Sequence, residues 1–165
     1  MRGGRGLASR DITSVVSELR QLVGGAEPTL EKLRKIARTI RAHGGYRWVG
    51  LYEVDRSRGL VKNLVWVGPH APVYPVFPVS KGLTGVAIAC RRPVNVGNVR
   101  EDERYLTALS TTQSEIIVPV FDEQGVAVVG TIDVESEVRD AFGPDVQYVL
   151  ECCAAAIQPL WWHNR

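Results

Sequence analysis

The stretch from Ser114 to Ser136 reads S-E-I-I-V-P-V-F-D-E-Q-G-V-A-V-V-G-T-I-D-V-E-S. Two apolar, Val/Ile-rich runs flank Asp122-Glu123-Gln124-Gly125. A short polar link with a glycine free to take positive φ predicts a β-hairpin. Glu115 opens the first strand, and Asp133 and Glu135 close the second. Two residues apart on a strand, Asp133 and Glu135 face the same side. A three-residue loop (Glu123, Gln124, Gly125) pairs Asp122 with Val126 and sets Glu115 opposite Asp133. A four-residue loop turns Glu115 to the other face, because a slip of one residue flips every side chain. The first register gathers three carboxylates at one end of an apolar hairpin. Like charges that close repel unless water, donors or a cation offset them. The cluster is therefore either a solvated strand end or a site for something positive.

The chain has 165 residues, enough for a single domain with a real core. Residues 1–10 read as a flexible tail and 11–162 as the domain. With 45% hydrophobic and 23% charged residues and a net charge of +2, the composition is that of an ordinary globular protein. The charge is too small to imply nucleic acid without a basic stripe. No run approaches the ~20 apolar residues of a membrane span, and the start of the chain does not read as a signal peptide. The three cysteines, Cys90, Cys152 and Cys153, form no disulfide framework or zinc spacing. A reducing cytoplasm is the expected location.

Two helices are predicted first. Asp11 is placed to cap one that carries Ile12, Val15, Val16, Leu19, Leu22 and Val23 and ends at Gly24-Gly25. A second restarts at Pro28-Thr29, with Leu30, Leu33, Ile36, Ala37 and Ile40 as its apolar stripe. Its basic residues, Lys32, Arg34, Lys35, Arg38 and Arg41, read as a solvated face. Tyr46–Val54 and Leu60–Val67 alternate with period two and predict a hairpin about the turn Asp55–Gly59. Gly50 within it implies a close neighbour or a bulge.

From Gly68 to Gln113 the alternation breaks into an irregular lobe. It contains proline-stiffened extended pieces, a short helix from Val86 to Cys90, a brief strand at Pro93–Val96 and a helical turn or two over Glu101–Leu109. Such a lobe forms a lid or a binding wall. Tyr74, Phe77 and Tyr105 either line a pocket there or pack the lobe onto the sheet. A last helix starts at Phe142-Gly143-Pro144-Asp145 and is limited by Pro159. Trp161 and Trp162 follow; exposed, they would mark a subunit contact, and buried, they would close the core. The expected class is α+β, with terminal helices on one face of an antiparallel sheet, the lobe on the other, and a pocket between sheet and lobe.

The chain resembles GAF domains, and within them it is most similar to the free methionine-(R)-sulfoxide reductases. The matching pieces are W-V-G-L-Y (Trp48–Tyr52), V-G-P (Val67–Pro69), P-V-S-K-G-L-T-G (Pro78–Gly85), S-E-I-I-V-P-V (Ser114–Val120) and G-T-I-D-V-E-S (Gly130–Ser136). The resemblance implies a GAF-like antiparallel sheet of about six strands, helices on one face and a ligand pocket on the other. It implies that Glu115, Asp133 and Glu135 hold an amine, Glu135 standing where the reductases have Asp. Trp48, Tyr74 and Thr84 complete the expected ligand-binding set. The family's three cysteine positions correspond here to Tyr74, Thr84 and Ala108. Thiol chemistry on sulfur needs an attacking thiolate and a resolving thiol, so catalysis would have to fall to Cys90. The Asn-Lys-Phe-Asp-Glu signature of cyclic-nucleotide GAF domains is absent. No cysteine is placed for a bilin, and His43, His70 and His163 give little support for haem.

The expectation is a GAF domain that binds or senses a small polar, amine-bearing molecule without redox catalysis or a cofactor. A homodimer through the terminal helices and an unidentified signalling partner are expected; nucleic acid and membrane are not. Two alternatives stay open. One is a divergent reductase using Cys90, and the other is a dimerisation module with a filled pocket, acting through the terminal helices and Trp161/Trp162.

Overall fold

The computed structural model describes residues 5–106 and 109–162, with side chains for 12–106 and 109–161. Helices α1 (Arg5–Gly24) and α2 (Thr29–Gly44) come first, then strands β1 (Trp48–Asp55), β2 (Leu60–Val67) and β3 (Val76–Pro78). Helix α3 (Gly82–Cys90), strand β4 (Val94–Val96) and a 3-10 turn (Val99–Glu101) follow. Strands β5 (Ser114–Phe121) and β6 (Val128–Ser136) lead to α4 (Pro144–Ile157) and α5 (Pro159–Trp162). The six strands form one antiparallel sheet in the order β3-β2-β1-β6-β5-β4.

Period-two patterning splits the strands cleanly between two faces. Val49, Leu51, Val65, Ile116, Val118, Val120, Ile132 and Val134 point to the helix side. There they meet Val15 and Leu19 of α1, Leu33, Ile36 and Ile40 of α2, and Leu150, Cys153 and Ile157 of α4. Helix α2 lies on β1 and β2, α4 on β5 and β6, and α1 packs across α2 and α4. Trp48, Tyr52, Val61 and Phe77 point the other way, into a smaller cluster with Leu109. Leu83 and Ala87 of α3 pack beside it on Ile117 and Val99.

Several expectations are corrected. Helix α1 begins at Arg5, not at an Asp11 cap; nothing between Gly6 and Asp11 breaks a helix, so the helix runs on through Leu7 and Ala8. Leu30 is exposed, one step outside the buried stripe of α2. The piece Val76–Pro78 is a strand, confined to the sheet edge where Pro78 needs no ladder donor. Over Glu101–Leu106 there is a 3-10 turn and irregular chain, not an α-helix. The Asp102 carboxylate accepts from the Arg104 backbone N–H at 3.0 Å, a local bond that competes with helix. Trp161 is buried in the main core, which removes it as an assembly anchor; the Trp162 side chain, Ala108 and His163 lie outside the described residues. His43 belongs to the last turn of α2 rather than to a loop.

The basic residues of α2 are spent locally. Arg34 pairs with Glu31, Lys35 with Glu27, and the Lys32 ammonium donates to the Val23 carbonyl. Among the described residues no helix is long and apolar enough to cross a membrane.

Candidate ligand-binding site

The β5–β6 hairpin sets the site, and its register is neither of those the spacing suggested. The Asp122 N–H donates to the Ala127 carbonyl at 2.9 Å, which closes a four-residue loop. Gly125 takes φ 69° in that loop, a value that suits glycine, and Asp122 Oδ1 accepts from the Val126 N–H at 2.8 Å. Phe121 pairs with Val128 and Val120 with Gly130, so Val129 bulges out of the ladder. The extra residue reverses the parity that the longer loop imposed. Glu115 therefore returns to the face of Asp133 and Glu135, opposite Glu135 rather than opposite Asp133. Asp133 lies across from Ile117, a diagonal step from Glu115 and within reach for a long side chain.

On the other side of β6, Trp48 pairs with Glu135, Gly50 with Asp133 and Tyr52 with Thr131. Gly50 is the space that this face needs. A Cβ there would lie 2.3 Å from Cη2 of Trp48 and 2.8 Å from Cε2 of Tyr52. The Trp48 indole lies between Gly50 and Gly68 and donates to the His70 carbonyl at 3.0 Å.

All three carboxylates are buried, and their partners differ. Asp133 accepts from Thr131 Oγ1 at 2.6 Å and Thr84 Oγ1 at 3.1 Å. Glu135 Oε2 accepts from the Thr112 hydroxyl, while Oε1 is buried with no partner. Glu115 is 6% exposed and has no hydrogen-bond partner among the described residues. Burial pushes Asp133 up to about 7 against its two hydroxyl bonds. Burial also pushes Glu135 up to about 7, against the Thr112 bond and assisted by the charge of Asp133. Glu115 is held well above the ordinary carboxylate range, first by burial and then by Glu135, Asp133 and Asp102. Burial, followed by the charges of Asp133, Glu115 and Glu135, raises the Tyr52 phenol, and the Asn63 amide beside it works the other way.

A cavity opens over Glu115 and Asp133, lined also by Tyr52, Tyr74, Phe77, Gly82, Leu83, Thr84 and Leu106. It has about 20 Å³ of room, enough for roughly one water-sized occupant. Of the expected ligand set, Glu115, Asp133, Tyr74 and Thr84 line it. Trp48 and Glu135 do not; they form the layer behind it. Cys90 is exposed at the opposite end of α3 from Gly82 and Thr84, roughly 10 Å along the helix axis. Tyr105 packs against the lobe core instead of the cavity. Thr131, Thr112 and Tyr52 were not singled out from the sequence. Thr131 and Tyr52 could have been found by period two, since they lie two residues from Asp133 and four from Trp48 on the same strand faces; Thr112 carries no such signal. Among the described residues, no group of three or more His, Cys, Asp or Glu side chains is arranged to hold a metal ion.

The family model for the GAF domain matches residues 28–158, most of the chain. The chain belongs to the GAF family. The GAF domain-containing protein A of Dictyostelium discoideum is 22% identical over 138 residues, covering 84% of each chain. Among solved structures, this GAF domain is similar to the free methionine-R-sulfoxide reductase of Neisseria meningitidis, solved in complex with its substrate. That match has TM-score 0.83 and 24% identity, and covers 98% of this chain and 93% of the other. It is also similar to the type II free methionine-R-sulfoxide reductase of Thermoplasma acidophilum, with TM-score 0.74, 25% identity and coverage of 86% and 94%.

Proposed function

We propose that this GAF domain binds a small polar molecule through a positively charged amino group, as a sensing module without redox catalysis. Glu115 carries the reading: a carboxyl this deeply buried, with no hydrogen-bond donor among the described residues, is stabilised by a cation that arrives with its own N–H groups. Asp133 adds charge beside it, and Glu135 adds more from behind. The likeness to reductases that act on a free amino acid points to the same class of ligand. By the motif resemblance Thr84 stands at a reductase cysteine position, and its hydroxyl donates to Asp133. Cys90 is poorly placed to replace the missing thiols, since attack on a bound sulfur needs a thiolate at the cavity.

The small cavity implies that ligand entry moves the lobe, whose Tyr74 side chain is half exposed. A ligand that binds the closed lobe better than the open one shifts the population toward closure. The readout then passes through a partner or a second copy. For the second copy we propose the groove between α1 and α4, lined in part by Ile12, Val16, Cys152 and Ala155; a monomeric mass by light scattering would rule this out.

The test is a thermal-shift screen of free amino acids, both methionine sulfoxide epimers, simple amines and nucleotides. A native-state ligand raises the midpoint by mass action. The expected result is a shift with an amine that disappears in Glu115→Gln and Asp133→Asn. Shifts confined to nucleotides, or shifts that persist in both variants, would refute the assignment.

A further inference from the structure

The cavity wall has a second character besides its charge. Three aromatic rings line it, those of Tyr52, Tyr74 and Phe77, with Leu83 and Leu106 between them. Tyr52 and Phe77 meet edge to face, with centroids 6.0 Å apart and planes at 61°. The polar lining is smaller: each oxygen of Asp133 already receives a hydroxyl donor, Glu115 has none among the described residues, and the hydroxyls of Thr84, Tyr52 and Tyr74 complete it.

These two facts constrain the nitrogen that fits. A primary ammonium brings three N–H donors, and those facing rings and leucines would lose their water without a replacement. Methyl groups in the same directions bury apolar surface and bring the positive charge against the π-faces. Methylation at all four positions fails in the opposite way, because it leaves Glu115 without a donor. We propose that the site selects an N-methylated ammonium that keeps at least one N–H, with that N–H on Glu115 and the methyl groups against Tyr52, Tyr74 and Phe77. This rests on the amine-binding reading above and narrows it. With only about 20 Å³ available, a head group larger than ammonium enters by displacing the Tyr74 ring. That ring is 46% exposed and lies between Val73 and Pro75 in the chain.

The experiment compares ammonium, methylammonium, dimethylammonium, trimethylammonium and tetramethylammonium chlorides at pH 8 and matched ionic strength, reading the melting midpoint as a function of concentration. Affinity is expected to rise through the methylated members, to roughly tenfold above ammonium, and to drop at tetramethylammonium. In Tyr74→Ala the rise should shrink while the drop remains. Affinity that is highest for ammonium, highest for tetramethylammonium or flat across the series would overturn the selectivity and leave amine binding standing. A rise undiminished in Tyr74→Ala would overturn the part assigned to the rings. No stabilisation by any of the five salts would overturn both the selectivity and the amine reading beneath it.

Discussion

Glu115 and Asp133 share a strand face but not a fate. Asp133 is held by two threonine hydroxyls, while Glu115 faces the cavity with no donor among the described residues. The difference sets what each substitution should do. Glu115→Gln keeps the shape and removes the charge, so in the unliganded protein it should match the wild type at pH 5. It should exceed the wild type at pH 9, by on the order of 1–3 kcal/mol, read from urea melts at the two pH values. Thr84→Val removes one of the bonds that favour ionised Asp133. Its expected effect is a further rise in the Asp133 pKa and weaker amine binding at pH 7, with affinity recovering at higher pH. A titration of affinity against pH checks this; a uniform loss at all pH values would mean that Thr84 touches the ligand instead. Thr112 was illegible in the sequence, and the part that Thr84 plays was too, because a hydroxyl carries no sign of its partner. Its meaning comes from the acid it meets, 49 residues away for Thr84 and Asp133.

At the scale of the element, the hairpin shows where sequence reasoning reached and where it stopped. Alternation located both strands, the turn residues located the loop, and the three acids were rightly suspected of sharing a face. The bulge at Val129 was out of reach, because nothing in V-A-V-V-G marks which valine leaves the ladder. Similarly, Val76–Pro78 hid its strand behind two prolines, and Trp48 was assigned to the ligand because an aromatic residue beside a pocket cannot be told from one beneath it. The bulge gives a paired test. Deleting Val129 heals the ladder without changing which residues face the cavity, so amine binding should survive at a loss of about 1–2 kcal/mol in stability. Deleting Ile132 shortens the chain by the same one residue but turns Asp133 and Glu135 toward the helices. That variant should not fold, as circular dichroism would report. Equal outcomes for the two deletions would show that the parity argument is wrong.

For the whole molecule, the buried acids tie stability to pH in an unusual direction. Asp133 and Glu135 hold their protons up to about 7 when folded, against roughly 4 in an unfolded chain. Their contribution is complete below about pH 4, where both states are protonated. It is lost as pH rises through about 7, at up to ~1.4 kcal/mol per unit for each group. The unliganded melting temperature should therefore fall between pH 5 and pH 8. Asp133→Asn should flatten that slope, whereas a slope unchanged by the substitution would place the titrating groups elsewhere. A bound ammonium favours the ionised acids, so binding near pH 7 should release protons. Calorimetry in buffers of different ionisation enthalpy measures that release. The architecture that makes this possible was largely readable, since helices, hairpins and lobe each left a pattern; the state of the cavity was not, because room depends on how side chains settle. The same acids also make the protein vulnerable to a particular kind of change. Under selection for heat resistance alone, neutral residues at positions 115, 133 and 135 would be among the first gains, and the fold would survive them with its receptor erased. The three buried acids are thus a standing cost to the fold that the proposed amine site would offset.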